Sequence, residues 1–220
     1  MVDKGGPDCC SVNTFSRREA EADLRTYERA GVTGATKALI DAIRAQGIAG
    51  ASLLDVGGGI GAIQLELLAS GLGSAQSVDA TAAYVEVARS EAERRGYAER
   101  TRHLVGTLAD LGDTVDAADI VTLDKVVCCD PDLESLLAGV TRHARRTIGL
   151  VYPRVTWWNR LAARFFAVWG RVTRDRTRWY LHRTARVDGL LHEAGFERRS
   201  VTETFIWQVA LYVRAEPGPS

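Results

Sequence analysis

The sequence has little lysine, methionine or cysteine, and it lacks a long hydrophobic run. No stretch approaches the roughly 18 consecutive apolar residues that a membrane span requires. Residues 1–11 contain no apolar core of the kind found in secretory signals. Four cysteines in 220 residues are too few and too clustered for a disulfide framework. We therefore expect a cytoplasmic location and no membrane span.

Excess charge of one sign is also absent. Lysine plus arginine and aspartate plus glutamate each number 28, so nothing in the overall charge predicts binding to nucleic acid. The local exception is residues 154–186, which hold nine arginines against the single acid Asp175. With 46% hydrophobic residues, the chain is long enough for one domain with a full-sized core.

The chain alternates between predicted strands and helices. A capping box at Ser16 starts a first helix, and a second helix follows over about 35–46. The regular alternation beyond them predicts a doubly wound, Rossmann-like α/β sheet of seven strands, in which the last two strands form an antiparallel hairpin. Predicted strands are 52–56, 75–79, 102–105, 120–123, 147–152, 197–204 and 208–214; predicted helices between them are 60–70, 82–95, 132–144, 157–172 and 184–194.

A glycine-rich turn follows the first predicted strand and is the most informative feature present. Three glycines occupy alternate positions after Asp55, namely Gly57, Gly59 and Gly61, and an apolar helical pattern follows at once. Such a turn lets the backbone approach a nucleotide, and the helix start supplies N–H groups. Asp79 ends the next strand, 20 positions after Gly59, where it suits a pair of ribose hydroxyls. A dinucleotide and another adenosyl cofactor both fit this pattern.

An acid followed by alternate glycines, together with the terminal hairpin, resembles the class I S-adenosylmethionine-dependent methyltransferases over about residues 35–214. The resemblance implies a methyltransferase that uses S-adenosylmethionine and acts on a small-molecule substrate. It also implies that the three glycines line the methionine and ribose part of the cofactor. On the same basis Asp55 reaches the methionine ammonium, and Asp79 holds the ribose hydroxyls, with Ala80 beside the adenine.

The third and fourth strands add further candidate positions. Thr107 stands where many members of this family have an aspartate for the adenine amino group, and Leu108 would pack on the ring. Asp124, at the end of the fourth strand, is a further candidate contact with the cofactor. In the family this strand end faces the transferred methyl group, which makes the following Cys128 and Cys129 candidate catalytic residues.

The four cysteines form two adjacent pairs, Cys9–Cys10 and Cys128–Cys129, and two interpretations of them stay open. They are either small packing residues or a site for a soft ligand, loosely resembling the arsenite methyltransferases. Since adjacent side chains diverge in extended backbone, such a site would take one cysteine from each pair. No metal site is predicted. Two further candidate catalytic residues are Arg154, to pair with an anionic group on the substrate, and His182, as a base.

An aromatic, arginine-rich segment at about 153–183 is predicted to cap the active site, and its helix over 157–172 is open to an alternative contact with a membrane surface. Its character weakly resembles the insert of magnesium-protoporphyrin O-methyltransferases. We divide the chain into an N-terminal arm and cap helix, 1–34, and a methyltransferase domain, 35–220. The alternatives of another class are an NAD-type oxidoreductase and a non-catalytic binding domain. The oligomeric state is left open.

Overall fold

The computed structural model describes residues 16–161, 165 and 180–215. Its centre is a seven-stranded sheet. The strands are β1 Ser52–Val56, β2 Ser74–Asp79, β3 Thr101–Val105, β4 Ala118–Asp124, β5 Ala144–Pro153, β6 Phe196–Glu203 and β7 Trp207–Arg214. They lie in the order β3-β2-β1-β4-β5-β7-β6. Strands β1 to β5 are parallel, and β7 runs antiparallel to both β5 and β6.

Helices cover both faces of the sheet because successive strand residues point to opposite sides. The helices are α1 Arg17–Ala30, α2 Gly34–Arg44, α3 Ala62–Ala69, α4 Ala82–Arg94, α5 Leu108–Leu111, α6 Leu133–His143 and α7 Thr184–Glu193. Leu53 packs with α2 and α3, whereas its neighbour Leu54 packs with α5, α6 and α7 on the opposite face. The predicted doubly wound sheet with a terminal hairpin is confirmed.

The first helix packs beside the glycine turn. The predicted capping box is present, with the Ser16 hydroxyl accepting from the Glu19 N–H. Tyr27 packs in one apolar cluster with Ile60 of the glycine turn. The Tyr84 hydroxyl of α4 donates to Asp23 at 2.6 Å, which ties α1 to α4. The N-terminal helical cap therefore covers the outer side of the turn.

Several predicted bounds differ from the structure. Helix α3 begins at Ala62 instead of residue 60, because Gly61 is a left-handed N-cap. Strand β5 begins at Ala144, directly after α6, and the short helix α5 has no counterpart among the predictions. Of the predicted helix 157–172, residues 157–161 and 165 are helical and the rest lies outside the described residues. The division at residue 34 stays a prediction. Within the described ranges, no helix is long and apolar enough to cross a membrane.

Candidate active site

The β1–α3 turn bends through three glycines with left-handed backbone. Gly57, Gly59 and Gly61 have φ of +69°, +52° and +81°, which L-residues adopt rarely. Space is a second constraint at Gly57, where a Cβ would lie 2.3 Å from Cγ2 of Val126. Backbone conformation therefore explains the alternate glycines of the sequence, and steric contact adds to it at Gly57.

Gly58 is a further required glycine, one that the alternate pattern missed. Its φ is not left-handed, but a Cβ there would lie 2.9 Å from both Nε2 of Gln64 and Cβ of Ser77. The backbone of the turn at Gly58 therefore packs directly against the side chains of Gln64 and Ser77. The uninterrupted run of glycines at 57–59 is the sequence feature that could have indicated a requirement for glycine at residue 58.

Those buried side chains centre on Asp55, which is only 1% exposed. Its Oδ1 accepts a hydrogen bond from the Thr122 hydroxyl at 2.6 Å, and its Oδ2 accepts one from Nε2 of Gln64 at 3.4 Å. Burial raises the pKa of Asp55 to about 7, against the opposing effect of the hydrogen bond from Thr122. Asp55 therefore supports the glycine turn through its hydrogen bonds to Gln64 and Thr122. Its contact with a cofactor ammonium stays a prediction.

Asp79 lies beside the turn because the carboxyl end of β2 is next to that of β1. Its Oδ2 accepts from the Gly59 N–H at 3.0 Å, and its Oδ1 accepts from the Thr81 N–H at 2.8 Å. Burial raises the pKa of Asp79, and the two backbone hydrogen bonds oppose that shift. A carboxylate has about four lone-pair sites. Asp79 is thus held in place by the backbone and keeps capacity for two more hydrogen bonds.

Strand β4 ends at Asp124, whose predicted place at this edge of the sheet agrees with the structure. Its Oδ2 accepts from the Thr36 hydroxyl of α2 at 2.6 Å. Its Oδ1 is buried and has no hydrogen-bond partner among the described residues. Since a buried acceptor without a donor is costly, this oxygen is suited to a donor supplied by a ligand.

Lys125 follows Asp124 and was not among the sequence candidates. Its φ is +63°, and within the described part of the chain no other residue besides glycine has a positive φ. Its Nζ donates to Oγ1 of Thr36 at 2.9 Å, lies 3.2 Å from Oδ2 of Asp124, and lies 5.7 Å from the ring centroid of Trp207. Strained non-glycine residues concentrate at functional sites. No sequence signal pointed to this backbone conformation.

The candidate adenine contacts lie at the neighbouring ends of β2 and β3. Ala80 directly follows Asp79, and Thr107 follows β3 after one residue. The Thr107 hydroxyl accepts from the Asp110 N–H at 3.1 Å as the N-cap of α5, and donates to Oδ2 of Asp110 at 2.6 Å. Leu108 is buried. A contact between Thr107 and an adenine ring would therefore compete with these local hydrogen bonds.

The expectation that Cys128 and Cys129 diverge is wrong. Residues 127–129 form a turn instead of extended backbone, closed by a hydrogen bond from the Cys129 N–H to the Val126 carbonyl at 2.8 Å. Both sulfurs point to the Lys125 carbonyl oxygen, at 3.2 Å from Cys128 and 3.5 Å from Cys129. A hydrogen bond from the Cys128 thiol lowers the pKa of Cys129. The other pair, Cys9–Cys10, lies outside the described residues.

Arg154 follows β5, and its contacts in the structure are with the terminal hairpin. Its N–H donates to the Ile206 carbonyl at 2.8 Å, and Nη1 donates to the Thr204 carbonyl at 3.0 Å. Nη2 lies 2.6 Å from Oε2 of Glu203. Arg154 thus fastens the β6–β7 turn to the end of β5. Pairing with a substrate anion stays a prediction.

His182 lies close to the cysteine turn. Its Nε2 is 2.9 Å from the Asp130 carbonyl oxygen, and its ring stacks with that of Tyr180 at 6.4 Å. A carbonyl only accepts, so the proton is on Nε2 and the neutral ring would keep its lone pair on Nδ1. Whether Nδ1 serves as a base stays a prediction. Across the described ranges, no group of three or more His, Cys, Asp or Glu is arranged to hold a metal ion.

These residues fit an adenosyl cofactor. The glycine turn lies at the carboxyl end of β1, where the strand order reverses between β1 and β4, the usual crevice for a nucleotide in such sheets. Asp79 lies on one side of the turn and the unpartnered Oδ1 of Asp124 on the other. Added side chains at Gly57 or Gly58 would disturb this surface.

Residues 54–147 match the family described as methyltransferase domain. This match covers the turn, Asp79 and the ends of β3 and β4. The candidate site therefore lies within a stretch that matches a methyltransferase domain. No curated protein matches the sequence.

Solved structures share the fold at low sequence identity. Magnesium protoporphyrin IX methyltransferase from Synechocystis PCC 6803, with bound SAH, is 20% identical, with a TM-score of 0.67 over 82% of this chain and 81% of that one. An O-methyltransferase family protein from Burkholderia thailandensis is 17% identical, with a TM-score of 0.68 over 92% and 60%. Mitomycin 7-O-methyltransferase is also 17% identical, with a TM-score of 0.63 over 92% and 62%. These likenesses concern the fold.

Proposed function

We propose that the protein transfers the methyl group of S-adenosylmethionine to a small-molecule acceptor at the carboxyl edge of its sheet. The observation that carries this proposal is the junction of the glycine turn with Asp79, whose carboxylate already accepts from the Gly59 N–H. In this assignment Gly57, Gly59 and Gly61 accommodate the methionine and ribose part of the cofactor. Asp79 accepts from the ribose hydroxyls, which suit a two-oxygen acceptor.

The remaining assigned residues orient the cofactor. Asp124 offers its buried Oδ1 to a donor on the cofactor. Asp55 supports the turn through Gln64 and Thr122 and is the proposed contact for the methionine ammonium. Ala80 and Leu108 provide apolar surface for the adenine. The cofactor supplies a methyl group already activated by its sulfonium, so a general base is optional. The protein's main contribution is to hold donor and acceptor in line, an effect worth several kcal/mol.

Asp79→Asn tests the assignment of the ribose contact. The substitution removes the charge and replaces one acceptor oxygen by an amide, so we expect affinity for S-adenosylhomocysteine to fall about 10- to 100-fold, the equivalent of losing about 1.5–3 kcal/mol of charge-assisted hydrogen bonding. Isothermal titration measures the affinity, and a thermal melt checks that the variant is folded. Asp113→Asn, at an exposed acid, is the matched control. Unchanged affinity in Asp79→Asn would remove the ribose role.

The acceptor we propose is an apolar or aromatic compound that bears an anionic group. Support comes from the surface near the ends of β4 and β5. Trp158 stacks on Phe205 of the hairpin turn at 5.4 Å, and Trp157 is 71% exposed. Lys125 brings a cation to the Trp207 ring at the same end of the sheet. Aromatic rings beside a cation suit a flat, acidic ligand.

Paired acceptors test this class. An aromatic hydroxy acid and the alcohol formed by reducing its carboxyl group differ in charge and little in shape. We expect a lower KM for the acid, and a smaller preference for it in Lys125→Met. Affinity for S-adenosylhomocysteine is measured alongside, because Nζ of Lys125 lies 3.2 Å from Oδ2 of Asp124. Lys37→Met, at an exposed lysine of α2, is the control. Equal KM values for acid and alcohol in the parent would contradict an anionic acceptor.

Other assignments remain predictions. Two of them concern residues: Arg154 and His182 are predicted catalytic residues, and 157–172 is predicted to be able to contact a membrane surface. Two concern the whole protein: we predict no nucleic-acid partner and a cytoplasmic location. A thiol- or metalloid-directed transfer through Cys128 and Cys129 is the second candidate activity, favoured by the convergence of the two sulfurs. An NAD-type oxidoreductase and a non-catalytic binding domain are the alternatives of another class.

A further inference from the structure

The turn at Cys128–Cys129 has a geometry that packing alone does not require. In a strand, adjacent side chains point to opposite faces. Here the backbone turns, and both sulfurs approach one acceptor, the Lys125 carbonyl oxygen, at 3.2 Å and 3.5 Å. The two thiols are therefore on the same side of the chain.

The surroundings hold this turn in place. Cys128 is buried, and its carbonyl accepts from the Tyr180 N–H at 2.8 Å. Val126, just before the turn, fills the space against Gly57. Cys129 is half-buried and therefore the more exposed residue of the pair. The pair is thus preorganised at the margin of the candidate active site.

We propose that Cys128 and Cys129 form a two-thiol site for a trivalent arsenical. A structural zinc ion needs about four ligands, and the described residues offer no group of three or more for a metal. A trivalent arsenic centre that already carries one organic group needs only two more ligands. Soft thiolates are the ligands for such a centre, and the lowered pKa of Cys129 favours its thiolate.

The binding reaction balances without an oxidant. With phenylarsine oxide, two S–As bonds form and the arsenic–oxygen bonds break. The oxygen leaves as water with the two thiol protons, and arsenic stays trivalent. Once one sulfur has reacted, the second attack is intramolecular, so its effective concentration far exceeds that of a competing monothiol. A bridged adduct therefore resists glutathione and yields to a dithiol.

The test uses the full chain with Cys9→Ser and Cys10→Ser, which leaves Cys128 and Cys129 as the two remaining cysteines. This parent is treated with one equivalent of phenylarsine oxide, washed with excess glutathione and weighed intact by mass spectrometry. We expect one retained reagent, less one water, which dithiothreitol removes. Cys129→Ser and Cys128→Ser, each added to this parent, should lose the adduct in the glutathione wash.

Loss of the adduct from the parent in glutathione would overturn the proposal, as would its retention in either single variant. Cys129→Ser is the more informative variant, because residue 129 is half-buried and the change least affects packing. A thermal melt of each sample reports folding, and titration with S-adenosylhomocysteine reports binding of the cofactor product. The titration also keeps the two claims separate: failure of every sample to bind that ligand counts against the proposed methyl transfer and leaves the result with the arsenical intact.

Discussion

At the scale of single residues, the most consequential group is a carboxyl placed where water does not reach it. Asp55 is 1% exposed and supports the glycine turn through Gln64, while Thr122 donates to its other oxygen. Its pKa of about 7 means that the folded protein keeps this carboxyl protonated at pH values where the unfolded chain has already ionised it. The stability of the protein should therefore depend on this one proton.

Asp55→Asn tests that dependence. Because the folded pKa lies above that of the unfolded chain, the contribution of Asp55 is complete below about pH 4 and is lost as pH rises to about 7. The loss amounts to about 4 kcal/mol, since one pKa unit is worth about 1.4 kcal/mol. Asparagine stays neutral throughout, and rotation of the Gln64 amide would offer its Oε1, which has no described partner, to the new N–H.

Urea unfolding of both proteins from about pH 4 to about pH 8 provides the measurement. We expect the difference in free energy of unfolding, variant minus parent, to grow with pH across that window. His103, whose buried ring has a pKa lowered to about 4, acts equally on both proteins and cancels in the difference. A difference that does not change with pH would show that Asp55 ionises normally in the folded protein.

At the scale of elements, the turn between β1 and α3 depends on steric space as well as on backbone conformation. Gly57→Ala puts a methyl group 2.3 Å from Cγ2 of Val126, at a φ of +69°. Gly47→Ala is the matched control, since φ is +76° there and nothing lies within 4 Å of the added Cβ. The strain of about 1–2 kcal/mol should be common to both variants.

We expect Gly57→Ala to lose about 1–3 kcal/mol more stability than Gly47→Ala, because overpacking adds to strain. It should also bind S-adenosylhomocysteine more weakly, whereas Gly47→Ala should bind it normally. Adding Val126→Ala to Gly57→Ala removes the obstructing methyl and should recover part of the stability. Urea unfolding and calorimetry measure both effects. Equal losses in the two glycine variants would show that space at Gly57 is not limiting.

The elements also show what the sequence can predict. Periodicity located all seven strands, and the Ser16 capping box located the start of α1, because these depend on local pattern. Local sequence patterns could not predict contacts between distant parts of the chain. The left-handed backbone of Lys125, the turn at 127–129 and the attachment of Arg154 to the hairpin all depend on how β4, β5 and β7 meet. The sequence around each of these three features contains no local pattern that predicts it.

At the scale of the whole molecule, the order of strands determines which residues share the candidate site. Because β1 and β4 are central neighbours, the ends of β1, β2 and β4 bring the glycine turn, Asp79 and Asp124 to one edge. The sequence located the glycine turn, Asp79 and Asp124 at this edge, since each lies in a short motif at the end of a predicted strand. Their contacts with a cofactor stay predictions. The proposed acceptor side offered no such motif, because its residues come from separate segments with no shared spacing.

We propose that this edge of the sheet binds an adenosyl cofactor of methyl transfer and not a dinucleotide. Isothermal titration of the full chain with S-adenosylhomocysteine, and separately with NADH, tests it most directly. We expect saturable binding of S-adenosylhomocysteine at one site per chain, and no heat of binding from NADH. Saturable binding of NADH with none of S-adenosylhomocysteine would contradict it.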